Sequence, residues 1–336
     1  MSGPRLTQVA GLPISDPELA AAVGDGLDRV EDLLRREVHS DYRFVTDTSL
    51  HLIEAGGKRF RPLLTLLAAQ LAGGTSEDVV VAATSVELVH LATLYHDDVM
   101  DEATMRRGAE SANARWDNTV AILTGDYLFA HASRLVSQLG PDAVRIIAET
   151  FAELVTGQMR ETRGPRDGED AVEHYLAVVA EKTGSLIATS GRFGAMFAGA
   201  PPEHVTAMSR FSEIIGTAFQ LSDDIIDIAS PSGDSGKTPG TDLREGVATL
   251  PVLYTLAGDG PEVARLRALG VGSRELADDE VDEALELLRG SAGLQEARAA
   301  LDARADAARA ELAALPEGPA RQALAALLDY TVARTG

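Results

Sequence analysis

Residues Asp78–Gly108 read DVVVAATSVELVHLATLYHDDVMDEATMRRG, an apolar run that ends in acid and then in two arginines. The apolar residues of Asp78–His96 cluster at helical spacing instead of alternating, so the segment predicts a helix. The same spacing recurs in Pro62–Ala72, Val120–Leu139, Ala143–Met159, Val172–Ala198 and His204–Ile228, all rich in Ala, Leu, Val and Met. Pro62 and Pro251 open apolar runs, as the first helical turn permits, and Gly73–Gly74 and Gly199 follow such runs as C-terminal caps would. Loops are expected at Gly164–Asp170, Ser230–Gly240 and Gly258–Gly260. The tail from about Asp278 reads as further helix. Aromatics are only 4% of the chain, and no strand pair or hairpin signal stands out. The expectation is an all-α, single-domain bundle of long helices over residues 1–336, with a motif-bearing core at about 45–257 and a helical C-terminal part at 258–336.

Composition narrows the functional classes. The 336 residues are 45% hydrophobic and 24% charged, which suits a soluble protein with a substantial core. A formal net charge of −22 argues against nucleic-acid or anionic-membrane binding through a general basic surface. Cysteine is absent, which excludes disulfides, thiolate metal sites and a cysteine nucleophile. No targeting signal is evident, and the apolar runs are broken by Gly, Thr, Ser or charge before a membrane-spanning length. A cytoplasmic location without stable membrane insertion is expected.

The acid in the opening stretch is Asp97, Asp98, Asp101 and Glu102. On a helix, i and i+4 lie on one face, so Asp97 and Asp101 present two carboxylates to a common point. Their repulsion, and the opposing dipole of a helix ending there, call for a cation. The pattern returns at Gln220–Asp227, QLSDDIID, with Asp223, Asp224 and Asp227 again closing an apolar segment. Two copies of one spacing exceed what an acidic surface explains. If the two helices lie side by side, the carboxylates ring one cavity mouth. Oxygen-only ligands suit a hard cation such as Mg²⁺, which takes one or two carboxylates and completes its shell with water and phosphate.

Cationic loops accompany both clusters. AGGKRFRP at Ala55–Pro62 sets Lys58, Arg59 and Arg61 behind a glycine pair at a helix mouth, a plausible anion cradle. Arg106 and Arg107 follow the first cluster, and Lys237, in GKTPGTDLREG, follows the second. Neither a Walker loop nor a dinucleotide-binding glycine motif is present.

With these motifs in hand, the chain resembles the trans-isoprenyl diphosphate synthases, or polyprenyl synthetases. GGKRFRP, HDDVMDEATMRRG, GDYL, TGQ, EKTGSL, FQLSDDIID and GKTPGTDLREGVATLP occur in the family's order and spacing over roughly residues 45–257. The resemblance implies the isoprenoid synthase fold, helices around a deep apolar cavity, usually as a homodimer. It implies head-to-tail condensation of an allylic diphosphate with isopentenyl diphosphate, a medium- or long-chain member being favoured. It also implies Mg²⁺, three ions per active site with substrate bound, with Mn²⁺ able to substitute. On this resemblance Asp97 and Asp101 are the principal metal ligands, with Asp98 supporting, and Asp223 with Asp224 and Asp227 forms a second metal site. Arg106, Lys182, Thr183, Gln220 and Lys237 match allylic-substrate contacts, Lys182 also serving catalysis. Lys58, Arg61, His90 and Arg107 match the isopentenyl diphosphate site, with Arg59 beside them. One departure is Val247, where many relatives carry lysine.

Product length is read from the helix before Asp97. Ala92 and Thr93 lie just over one turn back, where short-chain relatives tend to place an aromatic floor, and both are small. Val89 and Ser85, further back, are also modest. A product longer than farnesyl, in the C30–C50 class, is expected. The competing readings are a geranylgeranyl or farnesyl diphosphate synthase, a class I terpene cyclase, and a non-catalytic subunit of a heteromeric synthase.

Overall fold

The computed structural model describes residues 7–230 and 239–333. In chain order the elements are strands β1 (Thr7–Val9) and β2 (Leu12–Ile14), then helices α1 (Pro17–Glu37), α2 (Arg43–Glu54), α3 (Phe60–Ala69) and α4 (Glu77–Met100). Strands β3 (Met105–Arg106) and β4 (Ala109–Glu110) follow, then α5 (Ala112–Arg115), α6 (Asn118–Val136), α7 (Pro141–Arg163), α8 (Ala171–Val179), α9 (Ser185–Phe197) and α10 (Pro202–Ala229). The remainder is α11 (Thr241–Arg244), α12 (Leu250–Ala257), α13 (Pro261–Leu269), α14 (Asp278–Arg289), α15 (Ala292–Ala313) and α16 (Pro319–Ala333). The all-α expectation holds, and every predicted helical segment falls on helix, the one predicted over Pro62–Ala72 ending early at Ala69.

Three details differ. Both short strand pairs are antiparallel hairpins, β1 with β2 and β3 with β4. Their two-residue turns, Ala10–Gly11 and Arg107–Gly108, have positive φ throughout (50° and 84°, 54° and 76°), as a type I′ turn requires. Strands of two or three residues are too short to show an alternating pattern, which is why they escaped the reading. The helix predicted over Val172–Ala198 is two α-helices joined by a π-turn at Ala180–Gly184. The loop predicted at Ser230–Gly240 falls largely on residues 231–238, which lie outside the described residues, as does Lys237.

The chain packs as two compact units, neither continuous in sequence. The first comprises Met1–Ala152, Leu186–Ser212 and Glu311–Ala326, and the second Glu153–Ser185, Glu213–Ala310 and Leu327–Gly336.

In the first unit α4 is the central element, packed by α1, α3 and α6. Val79 through Val89 are buried without interruption, so this helix is enclosed on all sides. Ser76 caps its first turn, accepting from the Val79 amide at 3.2 Å. By length and hydropathy α4 could cross a membrane, which corrects the expectation that every apolar run breaks too early. Most of its apolar window, 78%, is instead buried inside the protein. Tyr95 is buried and ties α4 to α2, donating its hydroxyl to the Thr48 carbonyl at 2.5 Å.

Two apolar clusters among the described residues pack the second unit. Val179, Ala218, Leu221, Ile225, Leu250, Leu294, Ala297 and Leu301 form one. Ile228 leads the other, with Leu243, Val252, Leu266 and the apolar face of α14. Ala218, Leu221, Ile225 and Ile228 recur at helical spacing along α10, so burial of that stripe orients the acids between them.

Close approach in the first unit depends on Gly194. A Cβ there would stand 2.1 Å from the Thr65 carbonyl oxygen of α3. Alanine normally favours an exposed helix by ~1 kcal/mol over glycine. At Gly194 the overlap outweighs that gain, and Gly194→Ala should destabilise the fold by ~1–3 kcal/mol, read as a lower urea midpoint. An unchanged midpoint would contradict the α3–α9 contact.

Candidate active site

The first acid cluster sits where α4 stops. The helix runs three residues beyond Asp97, and the Asp101 amide donates to the Asp97 carbonyl at 2.8 Å, which keeps the two residues in i, i+4 register. The helix ends in a Schellman turn: the Ala103 amide reaches the Asp98 carbonyl at 2.9 Å and the Glu102 amide the Val99 carbonyl at 3.5 Å. The left-handed position of that turn, φ 49°, is held by Glu102 where glycine is usual.

The acids are not equivalent. Asp97 is half-buried and Asp101 is exposed, whereas Asp98 has no exposed surface. Asp98 Oδ1 accepts from Arg106 Nε at 2.6 Å, and Oδ2 is buried with no hydrogen-bond partner among the described residues. Burial pushes the Asp98 carboxyl up, and Arg106 opposes the shift. The β3–β4 hairpin delivers this arginine, whose Nη2 also lies 3.9 Å from Asp101 Oδ2. Asn113, which sequence reasoning missed, holds the turn by donating to the Asp98 and Ala103 carbonyls at 3.0 and 3.1 Å. Arg106 therefore supplies the cation the acid cluster needs.

The predicted anion cradle divides into exposed and buried parts. Lys58 is exposed. Arg59 is buried, with φ 46°, and its guanidinium is engaged by protein: Glu31, Glu87 at 3.2 Å, the Ile53 carbonyl at 2.9 Å and the Gly56 carbonyl at 3.3 Å. Arg107 donates to the carbonyls of Leu52, at 3.0 Å, and Gly56. Gly57 makes room for it, since a Cβ there would stand 2.9 Å from the Arg107 guanidinium carbon. Arg61 is half-buried, and its Nε has no partner among the described residues. Burial, with Arg107 nearby, lowers the Arg61 guanidinium to about 10 against the pull of Glu87. His90, half-buried on α4, is held well below its ordinary value, first by burial and then by Arg61, Arg107, Arg59 and Arg106. Its imidazole is neutral and able to donate one hydrogen bond. Arg61 and Arg107 thus lie close enough to His90 for their charges to act on its imidazole.

Further back on α4, Ala92 and Val89 are buried and Thr93 is half-buried, its hydroxyl donating to the His90 carbonyl at 2.8 Å. Ser85 is buried too, donating to the Val81 carbonyl at 2.8 Å.

In the second unit the Asp-Asp-x-x-Asp repeat lies within α10. Asp223 is half-buried, while Asp224 and Asp227 are buried. Asp224 accepts from the Tyr175 hydroxyl and from Gln220 Nε2 at 3.1 Å, and burial lifts its carboxyl to about 7. Because Nε2 is spent on Asp224, the Gln220 amide oxygen is left to accept elsewhere. Asp227 accepts from the Thr241 and Asp242 amides at 3.1 and 3.2 Å, anchoring the start of α11. Lys182 and Thr183 stand on the π-turn, a distortion frequent at functional sites, and Lys182 pairs with Glu161. Gly157, the glycine of TGQ, lets α7 approach this turn, since a Cβ there would lie 2.5 Å from the Lys182 amide nitrogen. Val247, which replaces the expected lysine, is 41% exposed.

Among the described residues no three acid or imidazole groups form a metal cage by themselves. The donor set fits an ion that draws much of its shell from substrate and water: two accessible carboxylates one turn apart on α4, with only oxygen donors. The sequence reading missed Glu87 and Tyr175. Glu87, a solitary acid within the apolar run Val79–Val89, carried a usable signal, and Tyr175 carried none.

The family model for polyprenyl synthetase matches residues 43–288. The chain belongs to the polyprenyl synthetase family. Among curated members it is 59% identical to nonaprenyl diphosphate synthase of Mycobacterium tuberculosis, over 98% of each chain. It is 48% identical to dimethylallyltranstransferase of the same organism, over 96% of this chain and 98% of that one. A geranylgeranyl pyrophosphate synthase from Corynebacterium glutamicum, solved in complex with calcium and isoprenyl diphosphate, superposes with a TM-score of 0.87. That synthase is 52% identical, over 97% of this chain and all of the other.

The strained Schellman position yields a stability test. A non-glycine residue in the left-handed region costs roughly 1–2 kcal/mol, and glycine adds ~0.5–1 kcal/mol of chain entropy. Glu102→Gly should therefore stabilise the protein by up to ~1 kcal/mol, visible as a raised thermal midpoint. A lowered midpoint would show that the Glu102 side chain contributes more than its backbone costs.

Proposed function

We propose that this polyprenyl synthetase is a Mg²⁺-dependent enzyme that condenses an allylic diphosphate with isopentenyl diphosphate, head to tail and repeatedly, to an all-trans product in the C30–C50 range. The observation that carries the reading is the arrangement on one helix and its hairpin. Asp97 and Asp101 stand one turn apart at the end of α4, Arg106 is fixed on Asp98 beside them, and Arg61, Arg107 and neutral His90 gather behind. A terpene cyclase has no need of such a second cationic cradle, and a non-catalytic subunit would usually have lost acid-motif residues.

In the first unit Asp97 and Asp101 are the residues that would hold Mg²⁺, and in the second unit Asp223 is assigned a metal of its own. When bound, the ion neutralises the charge of the departing diphosphate as a Lewis acid. In the first unit Arg106 is assigned to the allylic diphosphate; in the second, Lys182 and Lys237 carry the same assignment. Lys58, Arg61 and Arg107 hold isopentenyl diphosphate, and His90 offers it a hydrogen bond without adding charge. These preorganised cations stabilise charge as it develops on the leaving group. The Gln220 amide oxygen and Thr183 ease the positive charge of the allylic fragment. Asp224 and Asp227, occupied by protein donors, support Asp223 and α11.

Chain length follows from α4. Ala92 and Thr93, roughly 6–8 Å behind Asp97 by helical rise, are too small to form a floor, and Val89 and Ser85 behind them are no larger than valine. The nonaprenyl relative supports a long product, and the geranylgeranyl relative supports the shorter alternative. Exposed Ile122 and Leu123 on α6 support a homodimer.

Labelled isopentenyl diphosphate, an allylic primer and Mg²⁺ should give a ladder of products ending within C30–C50, and chelation should abolish it. Unconsumed isopentenyl diphosphate would refute the activity. Ala92→Phe should shorten the ladder, and an unchanged distribution would refute the assignment of the floor. Asp97→Asn should lower turnover by two or more orders of magnitude, about what losing a principal electrostatic contact costs.

A further inference from the structure

Among the described residues, Arg59 and Arg107 are two of four non-glycine residues with left-handed backbone, at φ 46° and 54°. Such strain persists only where surrounding contacts over-determine it. Both arginines turn toward one buried carboxylate. Glu87, 1% exposed on α4, accepts from Arg59 Nη1 at 3.2 Å through Oε1, and Arg107 Nη2 lies 4.0 Å from the same oxygen. Both also donate to the Gly56 carbonyl.

Arg59 is saturated by these partners together with Glu31 and the Ile53 carbonyl, so it has little left for a ligand. Arg61, two residues on, has a buried Nε with no partner among the described residues. The predicted cradle therefore splits in two: Arg59 is fastened inside the wall, and Arg61 and Arg107 are left to meet an anion.

We propose that Glu87, with Arg59, is a positioning pair for isopentenyl diphosphate: it holds the Gly56–Arg61 loop and the Arg107 turn in the strained geometry that presents Arg61 and Arg107 to the diphosphate. This rests on the reading of Arg61, Arg107 and His90 as the isopentenyl diphosphate cradle. A buried ion pair adds little net stability compared with apolar packing, so its use at this position serves geometry. The negative charge of Glu87 also lies against the clustered guanidinium groups of Arg59, Arg61 and Arg107 and offsets their mutual repulsion.

The test is Glu87→Gln, which keeps the shape and removes the charge. The KM for isopentenyl diphosphate should rise about tenfold or more, with the KM for the allylic diphosphate changing less than about twofold. Calorimetric binding of isopentenyl diphosphate alone should weaken by the same factor. Unchanged or tighter binding, or an equal rise in both KM values, would overturn the proposal. Should Glu87→Gln not fold, Glu87→Asp, which retains the charge but shortens its reach, must show the same split in milder form, and equal rises there overturn it. If the wild type consumes no isopentenyl diphosphate, the functional reading fails first. If the wild type is active and the variants show no split, the positioning role alone fails.

Discussion

Negative charge at the carboxyl end of a buried helix is the constraint on which the first unit turns. α4 points its unfavourable dipole end at Asp97, Asp98 and Asp101, an arrangement that opposes folding unless positive charge is brought to it. The solution is local. One carboxylate, Asp98, is withdrawn from solvent and given to Arg106. The half-buried Asp97 and the exposed Asp101 stay one turn apart, with the Arg106 guanidinium 3.9 Å from Asp101.

The second unit treats a similar sequence differently. Asp224 and Asp227 are taken up by Tyr175, Gln220 and the first amides of α11, leaving Asp223 as the half-buried member. Equal spacing in sequence has led to unequal exposure, because the stripe from Ala218 to Ile228 sets which side of α10 is buried.

Much of this was legible in the residues. Helical spacing located the helices, and the i, i+4 acids with the nearby arginines marked the candidate site, because both follow from short-range periodicity. What escaped depends on contacts between segments distant in sequence. Glu87 lies 28 residues from Arg59, and Tyr175 lies 49 from Asp224, so neither pairing leaves a local pattern. Arg59 was misjudged for the same reason: a cation in a glycine-rich loop reads as a ligand contact until its partners are known. The β3–β4 hairpin was hidden because an arginine occupies a turn position where asparagine or aspartate is the usual sign.

The π-turn at Ala180–Gly184 has a consequence for what this chain tolerates. A π-turn is an α-helix that holds one extra residue in a single widened turn. A residue lost within Ala180–Gly184 can therefore be taken up by reverting to regular α-helix, whereas a residue lost within α8 or within α9 displaces those beyond it in the same helix by about 100° around its axis. Tolerance of a change in length along this stretch is concentrated at the turn that carries Lys182 and Thr183.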